Sequence, residues 1–145
     1  MVYVWTLIAL ALIGGGAFFL AKKLKRPADL MFFGICFLIS APIELWNIIS
    51  TGWEYQPKFF GIKTSGAFAI GILVAQPLLH LALGYGFLTL RRWAFYLSLF
   101  YLSDTLTSTV LGFVTEGYGR IRTIFLFVLV PFLIYLLLRR SKFSR

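Results

Sequence analysis

No charged residue occurs between Val2 and Ala21, and none between Thr64 and Leu90. An uncharged, apolar stretch of about 20 residues matches the ~30 Å hydrocarbon core of a bilayer when coiled as a helix. Lipid offers no hydrogen-bond partner to a backbone, so each stretch must satisfy its own amides, and a helix does so. Charge elsewhere is bunched between further apolar runs. The expected fold is therefore all-α: a polytopic transmembrane helix bundle of about five spans, near 2–21, 29–50, 64–90, 93–115 and 121–138. A bundle of this length takes up the whole chain as one domain, 1–145. Hydrophobic residues make up 60% of the sequence, above the ~45–50% of ordinary soluble domains.

The formal charge of +9 does not indicate nucleic acid, because the basic residues stand at the ends of the apolar runs. Lys22, Lys23, Lys25 and Arg26 follow the first run, Arg91 and Arg92 the third, and Arg139, Arg140, Lys142 and Arg145 the last. With the amino terminus outside, 10 basic residues fall on inner segments and 4 (Lys58, Lys63, Arg120, Arg122) on outer ones. Positive residues favour the inner side, so the expected topology is N-out, C-in in the cell membrane. Attraction to anionic lipid headgroups is an expected by-product. The rival topology has four spans and one segment lying in the interface. The first run has no basic residue before it and no small-residue cleavage site after it, and reads as a retained span. Cys36 stands alone, which rules out an intrachain disulfide. Gly14, Gly15 and Gly16 suit close helix packing.

Ionisable side chains are rare inside membrane helices and usually face protein or water. Here Glu44, His80 and Asp104 each occupy one of three consecutive central runs. Each lies on a polar stripe at helical spacing: Ser40, Glu44, Asn47 and Thr51; Gln76 and His80; Tyr101, Asp104 and Ser108 with Thr105 and Thr115. Lipid is a poor environment for such stripes, so the three are expected to face one another. Glu44, His80 and Asp104 are the candidate catalytic residues. Asn47, Trp53, Tyr55, Gln76, Tyr101 and Ser108 are the candidate ligand-binding residues. Pro42 and Pro77 stand beside them and would free the carbonyls of Leu38 and Leu73. Polar side chains also join helices for purely structural reasons, at ~0.6 kcal/mol per hydrogen bond. A neutral carboxyl in oil could donate a proton and His80 could relay one. One histidine with no second histidine gives no structural zinc site, and no metal is expected. Ligation of a tetrapyrrole metal by His80 is a weaker alternative, and no cofactor follows from the residues.

The stretch Glu44-Leu-Trp-Asn-Ile-Ile-Ser-Thr-Gly52-Trp53-Glu-Tyr55-Gln-Pro57, followed by Gly61, resembles the three-helix lycopene cyclase domain of integral-membrane carotenoid enzymes. The likeness spans about residues 1–90 and includes the basic loop after the first run. It implies a membrane bundle that meets an isoprenoid, with Glu44 in the place of the family's aspartate. The family's Pro-x-Glu-Glu is replaced by Ala67-Phe68-Ala69-Ile70, which removes the paired carboxylates that would protonate a polyene.

Three functions compete. The first is binding of an apolar, isoprenoid-like or lipid ligand at a Glu/His/Asp cluster, with or without proton chemistry. The second is a non-catalytic accessory subunit of a larger membrane complex or a homo-oligomer, suited to a small chain with 28 Phe, Tyr, Trp and His residues. The third is a proton-coupled transporter, for which midplane carboxylates beside broken helices are apt.

Overall fold

The computed structural model describes residues 2–51 and 56–143. The apolar runs reappear as five α-helices, each within three residues of the expected bounds: α1 (Val2–Leu24), α2 (Ala28–Thr51), α3 (Gly66–Thr89), α4 (Arg92–Glu116) and α5 (Arg120–Leu138). Of these, α2, α3 and α4 are long and apolar enough to cross a membrane. The apolar part of α5, Arg122–Leu138, is shorter. A small antiparallel hairpin, β1 (Lys58–Phe59) and β2 (Ile62–Lys63), precedes α3, and a single 3₁₀ turn (Arg140–Lys142) follows α5.

Helices α2 and α3 form the most extensive contact; α1 lies on α2, and α4 packs against both α3 and α5. The lower half of α5 returns to α2, where Phe33 meets Phe132 at 4.7 Å and Tyr135 at 5.2 Å between ring centres. Leu30, Leu83, Phe87, Leu102 and Leu136 form the buried centre. Glycine sets the α2–α3 approach: a Cβ on Gly84 would lie 2.6 Å from Leu38 and 2.9 Å from the Gly34 carbonyl. Gly14, Gly15 and Gly16 behave differently. A Cβ at any of them meets nothing within 4 Å, so these glycines make no close helix contact within the chain. The helix surfaces between the charged ends are largely apolar, with Phe18, Trp46, Phe68, Val114 and Phe127 all exposed. Apolar patches of that extent belong against lipid or another protein.

The sequential up-and-down order gathers the end of α1, the start of α2, the α3–α4 link and the end of α5 at one end of the bundle. Most of the basic residues are there. Asp29 pairs with Arg139 at 2.5 Å, and the Arg26 guanidinium donates to the Leu88 carbonyl. At the opposite end Glu116 gathers Lys58 (2.5 Å), Lys63 (4.0 Å) and Arg122.

Candidate functional site

Glu44 and His80 meet across the α2–α3 contact, with Glu44 Oε2 3.2 Å from His80 Nδ1. Both helices present them at the spacing the stripes predicted. Ser40 lies one turn before Glu44, and its Oγ is 2.8 Å from the same Nδ1. Gln76 lies one turn before His80 and donates from Nε2 to Glu44 Oε1 at 3.4 Å. From α4, the Tyr101 ring stands edge-on to the imidazole at 5.2 Å, and Phe37 of α2 contacts both rings, 5.5 Å from the imidazole and 6.2 Å from Tyr101.

The hydroxyl of Ser40 favours one imidazole tautomer. Ser40 has one hydroxyl proton and donates it to the Phe37 carbonyl at 2.8 Å. With that proton so placed, Nδ1 is the donor to the Ser40 oxygen, while Glu44 Oε2, 3.2 Å from Nδ1, is buried without a hydrogen bond of its own. The second ring nitrogen, Nε2, is buried and has no hydrogen-bond partner among the described residues. His80 itself is only 5% exposed. Buried polar atoms are nearly always bonded, and one that is not calls for a reason such as catalysis or an absent partner. The arrangement is a carboxyl–imidazole couple with one ring nitrogen held by Ser40 and the other buried without a partner.

Asp104 and Ser108 have a different partner. Asp104 Oδ1 accepts the Phe60 amide at 2.6 Å, and Ser108 Oγ accepts the Gly61 amide at 2.8 Å. Phe60 and Gly61 form the two-residue turn of the hairpin, and both have positive φ, 46° and 82°. That is the backbone of a primed hairpin turn, which glycine adopts freely and phenylalanine does not. The α4 stripe thus holds a strained turn and gives its amides acceptors. A Cβ on Gly61 would come within 2.6 Å of Leu111, so the turn lies against α4 with no room for a side chain there. The stripes of α2 and α3 do face each other, whereas Asp104 and Ser108 serve the hairpin, and α4 reaches the couple through Tyr101, one turn before Asp104.

Of the other candidates, Asn47 is exposed, and its backbone carbonyl accepts the hydroxyls of Ser50 and Thr51. Trp53 and Tyr55 lie outside the described residues. Thr105 and Thr115 bond back to the carbonyls of Tyr101 and Leu111 in their own helix. Ser40 and Phe37 are the additions to the site. Ser40 was visible on the Glu44 stripe, and Phe37, three residues before it, shares that face. Pro42 and Pro77 line a groove of about 450 Å³ on the α2–α3 seam, together with Leu38, Leu45, Leu73 and Leu81. Leu45 follows Glu44 and Leu81 follows His80, so the groove occupies the face beside the couple. Among the described residues no three His, Cys, Asp or Glu side chains group as metal ligands would.

No family model matches the chain, and neither a curated protein nor a solved structure shows a significant likeness to it.

The hairpin contact yields a test of what Asp104 does. Asparagine keeps a carbonyl oxygen for the Phe60 amide, and alanine does not. Asp104→Ala is expected to destabilise the hairpin by about 1–3 kcal/mol and to speed amide exchange across residues 58–63, with Asp104→Asn close to wild type. Hydrogen exchange read by mass spectrometry checks this. Equal exchange in both variants would mean that the carboxylate oxygen does not hold the turn.

Proposed function

We propose that this chain is an integral protein of the cell membrane, crossing it five times with the amino terminus outside, that binds an apolar ligand of isoprenoid or other lipid type at the Glu44–His80 couple. The observation that carries this reading is the partnerless, buried Nε2 of His80 beside a carboxylate. The proline-lined groove on the neighbouring face suits an elongated apolar body, and a polar end group of the ligand would meet Nε2. Proton transfer at that atom is within the chemistry of the couple, since the carboxylate compensates a proton gained on the ring. The gathering of basic residues at one bundle end supports the orientation. The likeness of residues 44–61 to the lycopene cyclase domain agrees with an isoprenoid ligand and implies no cyclisation, because the paired glutamates are missing.

A second reading, an accessory subunit of a larger membrane complex, draws on α1. That helix packs chiefly on α2, its glycines are open, and Phe18 and Phe19 are exposed at 66% and 70%.

One preparation separates the two. The protein is purified in mild detergent, its absorption spectrum recorded, and its organic extract analysed by mass spectrometry. A stoichiometric polyene, quinone or other isoprenoid is expected, and it is expected to fall at least tenfold in His80→Ala and Glu44→Gln. A clean extract together with a co-purifying protein would overturn the first reading in favour of the second. A tetrapyrrole spectrum lost in His80→Ala would replace the isoprenoid with a metal-bound pigment.

A further inference from the structure

A cleft of about 550 Å³ opens at the basic end of the bundle, between the first turn of α4 and the end of α5. Its construction depends on the carboxyl-terminal residues. After Leu138 the chain tightens into the 3₁₀ turn, with Lys142 N–H bonded to the Arg139 carbonyl at 2.9 Å and Phe143 N–H to the Arg140 carbonyl at 3.2 Å. The turn folds the chain back under the bundle. Phe143, 3% exposed, inserts between Phe87 (5.2 Å) and Phe95 (5.9 Å) and makes the floor of the cleft. Arg140 and Ser141 are thereby held on one wall, with the Arg140 guanidinium over the Phe95 ring at 6.0 Å. Arg92, the first residue of α4, stands on the other wall, at the positive end of that helix's dipole.

Two arginines, a hydroxyl and a helix start converge on one cleft, and among the described residues neither Arg92 nor Arg140 has a carboxylate partner. Two other basic groups at this end are engaged, Arg139 with Asp29 and Arg26 with the Leu88 carbonyl. Unneutralised arginines around a recess suit a phosphate, which a guanidinium binds in a two-pronged fashion. The flank of the same cleft is apolar and open: Leu137, Leu138 and Tyr96 line it and are 51%, 78% and 55% exposed. A free anion would leave that flank unused, whereas a molecule with a phosphate head and acyl chains would cover both parts.

We propose that this cleft is a binding site for an anionic phospholipid, its phosphate between Arg92 and Arg140 and its acyl chains along Leu137, Leu138 and Tyr96. The site is separate from the Glu44–His80 couple, and it stands or falls independently of the ligand proposed there. Basic pockets between membrane helices at the headgroup level recognise lipid phosphates in this way.

The test is native mass spectrometry of the full chain in a neutral detergent, titrated with equal amounts of phosphatidylglycerol and phosphatidylcholine. One retained phosphatidylglycerol per chain is expected, in preference to phosphatidylcholine. At about fivefold for each basic group, Arg92→Gln with Arg140→Gln is expected to weaken retention roughly 25-fold. Lys22→Gln with Lys23→Gln removes the same charge from the last turn of α1 and is expected to change it less than threefold. Ser141→Trp keeps both arginines, obstructs the cleft, and is expected to weaken retention as well, which covers the case of a poorly folded arginine variant. Equal retention of both lipids, or equal loss in the lysine variant, would overturn the proposal in favour of diffuse charge attraction. Displacement of the lipid by millimolar glycerol phosphate would reassign the cleft to a soluble anion and overturn it too.

Discussion

His80→Leu is expected to destabilise the bundle by about 2 kcal/mol, and adding Glu44→Leu to recover most of that loss. The single change leaves the Glu44 carboxylate between two helices with only the Gln76 amide, 3.4 Å away. Stripping one partner from such a pair leaves a polar group poorly solvated, at a cost of about 1–3 kcal/mol. Replacing both partners with apolar side chains removes the group that had to be satisfied, and comparable replacements are often neutral or stabilising. The expected order of thermal unfolding in one detergent is therefore wild type and double variant together, with His80→Leu clearly below them. A double-mutant cycle through Glu44→Leu completes the measurement, and strict additivity would show that the two side chains do not interact. Ligand retention should follow a different pattern, lost in the double variant despite its stability. That divergence is what distinguishes a binding couple from a structural one.

The second large effect is expected at Gly86. A Cβ there would sit 2.3 Å from the Ala94 Cβ, far inside contact distance, with the Trp93 ring 3.0 Å away. Neither residue can yield easily. The α3–α4 link is short, Leu90 already holds the left-handed conformation (φ 56°), and the Arg91 amide is bonded to the Gly86 carbonyl at 3.0 Å. Ala94 is fully buried. Gly86→Val must therefore push the start of α4 away from α3, at about 3 kcal/mol or more. Gly15→Val is the matched control. It places the same side chain on α1, where nothing lies within 4 Å, and is expected to stay within about 0.5 kcal/mol of wild type. Thermal melts of the two variants settle the comparison, and a Gly86→Val melt indistinguishable from wild type would mean that α3 and α4 do not approach as described.

The two glycine sites illustrate what a sequence pattern conveys. Three consecutive glycines look like the stronger packing signal, yet they open to the surroundings, whereas the isolated Gly34, Gly84 and Gly86 sit at the tight crossings. A small residue permits close approach, but whether a neighbour takes it up depends on how the helix is rotated. The hairpin at 58–63 was hidden for a related reason. Phenylalanine in a positive-φ turn is locally unfavourable, so Phe60-Gly61 carries little of the usual hairpin signal, and the turn is held by Asp104 and Ser108 more than 40 residues away.

The positions and lengths of the helices were determined by the sequence by itself, because an uncharged apolar run must close its own hydrogen bonds and can do so only as a helix. The same periodicity determined that Ser40, Glu44, Gln76 and His80 share faces that cannot favourably meet lipid. Which stripe met which was decided only by the tertiary structure. Helical spacing states which side chains point together, but contains nothing about what stands opposite them. Packing brought α2 and α3 face to face, so Glu44 found His80. It also laid a hairpin along α4, so Asp104 found a backbone amide, and the Tyr101 ring became the α4 contact of the imidazole.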